Sequence, residues 1–324
     1  MQTPCRAVLG VAALLTAALA LSACTSMGQG MAESAARANA ARYAAQGNPQ
    51  FSEPALQAIV KTFEARYAEI GLDVEKLGMA DGSPCPVSKE TAFQVLRGMS
   101  YEQYLDNEAD IARQVPGYTG TTDLDAVQLV SLAGVCGEDG PEGQAVVVGT
   151  TRDIARYSGE GYSNIMVSDT VQRVEANWID GRRAGSFTWI LITQTAQFQP
   201  GEDGGLEVAL DDWDYINQLR EAPTAVYTYF VADERGKPKY TVSFARNPVV
   251  GTYSTSVTEQ VDDIYSYART WQGTELRQEG RRKNGKAHGW QIIHPTVYDG
   301  TEIPGQRNCY QNGELIKTLE CPST

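Results

Sequence analysis

The stretch EGRRKNGKAHGWQI, residues 279–292, indicates the fold of this chain most clearly. At its centre, Asn284-Gly285 supplies two residues that readily adopt positive φ, as the type I′ turn of a two-residue β-hairpin requires. Gly280 and Gly289 allow the backbone of a neighbouring hairpin to approach closely. The stretch therefore predicts a tight antiparallel hairpin that stacks beside others.

The same stretch resembles a MORN repeat, a hairpin module with a Glu-Gly-x-x-Lys-Asn-Gly-Lys-x-x-Gly core. The match rests on Glu279, Gly280, Lys283, Asn284, Gly285, Lys286, His288 and Gly289. A second copy is expected from Val174 to Gly185, with Asp180-Gly181 as its turn, and a weaker echo spans 310–314. Gln278 and Val174 replace the leading aromatic of the module, so the copies are degenerate. The resemblance implies stacked hairpins that offer an extended surface.

Further short apolar or alternating runs, separated by glycine-rich turns, predict more strands after Pro116. They are Ala126 to Val135, Gln144 to Val148, Val171 to Trp178, Phe187 to Thr195, Ala225 to Val231 and Tyr240 to Phe244. The last two flank a turn signal at 233–238, and Trp213 to Arg220 is expected to form a helix. Residues 118–324 are thus predicted to be an antiparallel β region with MORN-like hairpins.

Residues 53–117 are predicted to be helical. Leu56, Ile59, Val60, Phe63 and Tyr67 recur at steps of three and four, which places them on one helix face. Expected caps are Ser52 and Gly71 for this helix, Ser88 for a second, and Ser100 with Gln103 for a third that ends before Pro116. The fold class is therefore α+β, a small helical region followed by a mainly antiparallel, hairpin-rich β region.

The N-terminus carries an export and anchoring signal. A single arginine precedes the apolar run from Ala7 to Leu21, and Leu21-Ser22-Ala23-Cys24 resembles the lipobox of bacterial lipoproteins. The resemblance implies that the signal peptide 1–23 is removed and that Cys24 carries acyl chains such as palmitate, which anchor the protein to a membrane. Residues 24–52, rich in Ala, Gly, Ser and Gln, are expected to form a flexible tether.

The lipoprotein resemblance also implies a location. No aspartate follows Cys24, and in Gram-negative lipoproteins this favours the outer membrane over the inner one. We expect the body to face the periplasm, with the cell surface as the other option. The formal net charge of −13 keeps such a body soluble and argues against nucleic-acid binding.

The cysteines agree with export. With Cys24 lipidated, Cys85, Cys136, Cys309 and Cys321 form an even set, which in an oxidising compartment predicts two disulfides. Three connectivities exist, and Cys85–Cys136 with Cys309–Cys321 is preferred because each bridge stays within one region. No Cys-x-x-Cys pair is present, so a zinc site is disfavoured.

Catalytic chemistry leaves little trace in the sequence. The two histidines, His288 and His294, belong to a strand rather than a metal-binding helix, and serine hydrolase and phosphate-loop motifs are absent. An acidic cluster at 202–214 lacks the spacing of a calcium loop, and a solvated turn is preferred there. No catalytic residue, cofactor or metal is therefore assigned.

A charge contrast is the best functional signal. Five cations crowd one hairpin of an acidic chain: Arg277, Arg281, Arg282, Lys283 and Lys286. They form a candidate site for an anionic partner, while protection of exposed strand edges is the competing explanation. The sequence favours a non-enzymatic envelope lipoprotein that binds a protein or envelope component. The alternative is an envelope glycan-binding protein or hydrolase with a carboxylate pair and an aromatic cleft.

Overall fold

The computed structural model describes most of the chain after residue 40. It covers residue 38, residues 41–78, 88–97, 99–138, 140–159, 162–198, 223–233, 238–247, 252–298 and 301–317, and residue 321. The predicted lipobox, Cys85, the acidic cluster at 202–214 and the helix expected at 213–220 lie outside these residues.

Four helices follow a helical segment at 41–46 and precede the strands in the described part of the chain. They are α1 (Pro54–Ile70), α2 (Val74–Gly78), α3 (Lys89–Arg97) and α4 (Tyr101–Gln114). Gly71 ends α1 with a φ of 61° and donates its N–H to the Tyr67 carbonyl, as the sequence predicted. Ser100 and Gln103 form the predicted capping box of α4, and the Thr91 N–H bonds the Ser88 hydroxyl at the start of α3.

Fourteen strands follow, twelve of them in one antiparallel sheet. They are β1 (Tyr118–Cys136), β2 (Pro141–Gly159), β3 (Tyr162–Ile179), β4 (Arg182–Phe198), β5 (Thr224–Ala232), β6 (Pro238–Asn247), β7 (Thr252–Gln260), β8 (Tyr265–Gln272), β9 (Glu275–Lys283), β10 (Lys286–Ile293), β11 (Thr296–Tyr298), β12 (Thr301–Ile303), β13 (Gln306–Gln311) and β14 (Glu314–Ile316). Strands β1 to β10 pair in chain order, β13 and β14 continue the sheet, and β11 and β12 pair separately. The predicted antiparallel, hairpin-built β region is confirmed at this level.

The helices cover opposite faces of the sheet at different places. Helix α1 buries its apolar residues against Ile190, Tyr227 and Phe244, and we call this side the α1 face. Helix α3 buries Phe93 and Leu96 against a second cluster that includes Val174 and Trp178, on what we call the α3 face. The division follows from strand geometry, because successive side chains of a strand point to opposite sides.

Two expectations about the helical region need correction. The residue that caps α1 is Glu53 rather than Ser52, and its side chain makes no capping bond. The short helix α2 was not predicted. It follows Asp73, whose carboxylate accepts the N–H groups of Glu75 and Lys76, and its Leu77 is fully buried.

The second half of the expected flexible tether is packed on the sheet. Residues 41–46 are helical, and Phe51 meets Trp271 edge to face with ring centroids 5.1 Å apart. Asn48 is 5% exposed and accepts a hydrogen bond from Arg246, a buried guanidinium on β6. The low apolar content of this segment predicts a tether, but the aromatic side chains of Tyr43 and Phe51 and the polar contacts of Asn48 hold residues 41–51 against the sheet.

One predicted disulfide is present between described residues. Cys309 and Cys321 are bonded, with 5.6 Å between their Cα atoms. Cys136 is also disulfide-bonded. The short Cys309–Cys321 bridge ties the end of the chain to β13.

Candidate functional site

Three hairpin turns share the backbone conformation that the sequence predicted. Asp180, Asn284 and Asn312 have φ values of 50°, 49° and 52°, and the glycine after each also has positive φ. These turns connect β3 to β4, β9 to β10 and β13 to β14. The tight twist of each turn follows from its Asp-Gly or Asn-Gly pair.

The first two of these hairpins also share a bulge. Each has a positive-φ glycine five residues after the start of its turn, Gly185 with φ 69° and Gly289 with φ 77°. In both, the ladder register shifts beside that glycine, and beyond the shift Thr188 lies opposite Glu175 and Ile292 lies opposite Glu279. The two hairpins therefore place a glutamate at the same structural position.

Both glutamates lie in one cross-strand row on the α1 face. Successive partners across β3 to β9 are Glu175, Thr188, Tyr229, Val242, Val257, Arg269 and Glu279. Glu175 lies under α1, where Arg66 donates to both of its oxygens and Arg173 donates to one. Its negative charge is thus balanced by arginines of the chain.

Glu279 has different partners at the other end of the row. The Tyr267 hydroxyl donates to one carboxylate oxygen, and the His294 Nε2 lies 3.0 Å from the other. The side chain of Glu279 is 20% exposed and that of His294 is 32% exposed. Burial, together with the bond to Glu279, raises the pKa of Tyr267 to about 12. Tyr267 therefore stays protonated at neutral pH and acts as a donor.

A concavity of about 280 Å³ opens beside this cluster on strands β8 to β10. Its lining residues are Tyr267, Glu279, Gly280, Arg281, Gly289, Trp290 and Ile292. Glu279 is the only carboxylate among these described lining residues. The Arg307 guanidinium of β13 lies 4.0 Å from the centre of the Trp290 ring, which holds a second cation at the rim.

The structure separates the cations of the predicted patch. Arg281 pairs with Tyr267 across β8 and lines the concavity, whereas Arg282 pairs with Ser266 and projects from the α3 face. Both side chains are exposed. Arg277 donates to the Pro295 carbonyl at 3.2 Å and so has a structural contact.

The two lysines stay with Arg281. Lys283 lies opposite Lys286 and also opposite Tyr265, whose ring centre is 5.5 Å from the Lys283 Nζ. On the α1 face the structure therefore places Arg281, Lys283 and Lys286, with Arg307 beside Trp290, whereas Arg282 lies on the opposite face.

The other motif residues have structural roles. His288 is 5% exposed, and its Nδ1 accepts the Asn312 N–H at 3.4 Å, which joins the β9–β10 hairpin to the last turn. A Cβ atom at Gly280 would overlap the side chain of Gln291 on the neighbouring strand. The space beside Gly280 is thus filled by a side chain of the same hairpin, whereas the sequence predicts a close approach of a neighbouring hairpin's backbone.

In the described part of the chain, no three His, Cys, Asp or Glu side chains are grouped so that they could hold a metal ion. No helix of that part combines the length and the apolarity needed to cross a membrane. Comparison with known protein families, curated proteins and solved structures finds no significant match.

Chemically, the concavity offers cations and an indole ring around a carboxylate that already has partners within the chain. Sequence reasoning found Arg281 through the charge contrast and Glu279 through the motif. It missed Tyr267, Trp290 and Arg307, because these residues join the site only through the strand register.

Proposed function

We propose that the protein is a lipid-anchored lipoprotein of the outer membrane that binds an anionic partner, either a protein face or an envelope component, without catalysing a reaction. The observation that carries the proposal is the concavity on β8 to β10. It joins Arg281 and Arg307 with Trp290 around the internally bonded Glu279.

The electrostatics of the site favour an anion. Both oxygens of Glu279 already face groups of the chain, Tyr267 and His294, so this carboxylate has little capacity left for an incoming cation. Arg281, Lys283 and Lys286 add positive charge on the same face. In a chain of net charge −13, such a local excess of cations selects and steers a negatively charged partner.

The aromatic component adds contact area. Trp290 is half-buried in the concavity wall and carries Arg307 above its ring. Tryptophan and arginine are the residue types that most often dominate binding energy at protein interfaces. A partner with an acidic group beside an apolar group could bind the arginines and Trp290 at the same time.

The hairpins are proposed to be degenerate MORN-like modules. The shared turn conformation, the equivalent bulge and the equivalent glutamates of the hairpins at 175–188 and 279–292 support this assignment. In this view the module supplies a flat, extended sheet, and the last complete hairpin supplies the binding surface.

The binding site is tested by reversing one charge at a time. Arg281→Glu and Arg282→Glu alter net charge equally, within one hairpin, but on opposite faces of the sheet. We expect Arg281→Glu to abolish co-purification of the envelope partner from crosslinked cells, while Arg282→Glu retains it. Equal recovery with both variants would show that the concavity is not the binding surface.

The anchor is tested separately with Cys24→Ser. Labelling of cells with a radioactive fatty acid should mark the wild-type protein and leave this variant unlabelled. The variant should also leave the membrane fraction, because two or three acyl chains provide the stable attachment. Unchanged membrane recovery of an unlabelled variant would contradict the lipid anchor.

A hydrolase or glycan binder is the second candidate, and one observation favours it. Glu279, His294 and Tyr267 combine a carboxylate, an imidazole and a phenol beside Trp290, which resembles an acid–base site next to a stacking platform. A carboxylate-pair mechanism would need a second carboxylate, which the described lining residues do not supply. Any activity on envelope polymers that survives His294→Ala would rule out this cluster as its source.

A further inference from the structure

A second cleft lies on the α3 face, far along the sheet from Trp290. It is about 330 Å³ in volume and lies between α3 and the β3–β4 hairpin. Its lining residues are Gln94, Val95, Trp178, Gly181, Arg182 and Arg183. Its two arginines differ in position, because Arg183 pairs with Trp178 on the α3 face and Arg182 pairs with Ile179. An adjoining cleft of about 610 Å³ shares Gln94, Val95, Gly181 and Arg182 and is also lined by Asp180.

The Arg183 guanidinium lies over two aromatic rings. Its guanidinium lies 4.8 Å from the Phe187 ring centre and 5.6 Å from that of Trp189. Within the described part of the chain, Arg183 has neither a hydrogen bond nor an ion pair. A guanidinium that lies over an aromatic ring points its N–H donors sideways, in its own plane. The rings of Phe187 and Trp189 therefore leave these donors of Arg183 available for another acceptor.

Several half-buried arginines of this protein have carboxylate partners, whereas Arg269, like Arg183, lies over aromatic rings, those of Tyr267 and Trp271. Arg152 pairs with Asp169 at 2.6 Å with its side chain 20% exposed, and Arg173 pairs with Glu175 at 2.8 Å with its side chain 12% exposed. Arg97 pairs with Asp153 in the same way. Within the described residues, Arg183 lacks the carboxylate partner that Arg97, Arg152 and Arg173 have. Burial lowers the pKa of Arg183 from the ordinary arginine value. The Arg183 side chain is half-buried, so its N–H donors remain accessible to a ligand.

We propose that the cleft between α3 and the β3–β4 hairpin binds a small oxyanion, a carboxylate or phosphate group, through Arg183 with support from Gln94. Planar guanidinium groups recognise both anions by paired N–H···O bonds. The volume of about 330 Å³ suits a small molecule or a single terminal group rather than a folded partner. This site is independent of the concavity at Trp290.

The test is an NMR titration of the full chain with sodium phosphate and, separately, with sodium succinate at constant ionic strength. The chain has five tryptophans, so the indole N–H signals of Trp178 and Trp189 can be assigned from single Trp→Phe variants. We expect a saturable shift of these two signals with at least one anion. Binding of phosphate but not succinate would identify the ligand group as a phosphate, and the reverse result would identify it as a carboxylate.

Arg183→Gln should weaken the affinity about tenfold or more, as loss of a charge-assisted hydrogen bond implies. Arg183→Lys should bind more weakly than wild type and more tightly than Arg183→Gln, because it keeps the charge without the planar fork. Arg282→Gln, which removes an exposed arginine of β9 outside both proposed sites, should leave the titration unchanged. The proposal fails if neither anion gives a saturable shift, or if Arg183→Gln binds as tightly as wild type while folded by circular dichroism.

Discussion

The substitution Asn48→Ala should lower the free energy of unfolding of the protein, even though residue 48 lies in a segment whose sequence predicts a flexible tether. Asn48 is 5% exposed and accepts a hydrogen bond from the Arg246 guanidinium, which is itself 3% exposed. Its amide also donates to Glu64 at 2.9 Å and accepts from the Thr255 hydroxyl at 3.3 Å. The substitution removes all three contacts and leaves a buried cation with fewer acceptors.

The expected loss can be estimated from these contacts. A hydrogen bond to a charged group contributes about 1.5–3 kcal/mol, and Arg246 keeps its bonds to the carbonyls of Ala245 and Ser254. We therefore expect Asn48→Ala to lower the free energy of unfolding by about 2–3 kcal/mol in equilibrium urea titrations. Asn107→Ala, on the exposed side of α4, should change it by less than about 0.5 kcal/mol.

Hydrogen exchange supplies a second readout of the same contact. Amides of residues 41–52 should exchange faster in Asn48→Ala than in wild type, because the segment loses its buried anchor. If Asn48→Ala unfolds at the same urea concentration as wild type, the contact between Asn48 and Arg246 does not stabilise the protein, and the prediction is wrong.

Three further outcomes follow from single contacts. Cys309→Ser should cost about 2–3 kcal/mol of unfolding free energy under oxidising conditions and nothing under reducing ones, since it opens a bridge across 12 residues; equal stabilities in both conditions would refute a stabilising bridge. Asn284→Val should lower stability by about 1–2 kcal/mol and Asn284→Gly should not, because φ is 49° there; thermal melts compare them, and equal melts would contradict the turn. The raised pKa of Tyr267, about 12, means that the folded state holds this proton more tightly, so its contribution is full below about pH 10 and disappears as pH rises through 12. In a spectrophotometric titration, Glu279→Gln should lower this pKa towards 10, and an unchanged value would contradict the assigned cause.

Local signals in the sequence predicted the hairpins well. Asp180-Gly181 and Asn284-Gly285 form the turns that their chemistry favours, and all six predicted apolar runs lie within strands. The capping box at Ser100 also forms as predicted. These features depend on a few neighbouring residues, and therefore a single sequence reveals them.

Contacts between distant segments could not be derived in this way. Asn48 meets Arg246 across 198 positions, and nothing in the spacing of either residue indicates the other. Similarly, Arg307 reaches Trp290 only because β13 rejoins the sheet beside β10 after the separate β11–β12 hairpin. The register that aligns them is set by the whole sheet.

The separation of Arg281 from Arg282 follows from strand geometry alone. Consecutive residues of a strand point to opposite faces, so Arg281 and Arg282 could not share a surface once their segment was assigned as a strand. A single patch made of all five cations is therefore incompatible with the alternation of side chains along β9. In the structure Arg281 and Arg282 lie on opposite faces of the sheet, so Arg282 is a suitable control position for Arg281.

Site-specific photocrosslinking in living cells tests the binding proposal most directly. A photoreactive amino acid replaces Arg281 in one strain and Arg282 in another, so that the probes lie on adjacent residues but on opposite sheet faces. We predict that the probe at position 281 captures a discrete envelope component, identifiable by mass spectrometry, and that the probe at 282 does not. Capture of the same component from both positions, or from 282 alone, would contradict the proposed role of the concavity at Trp290.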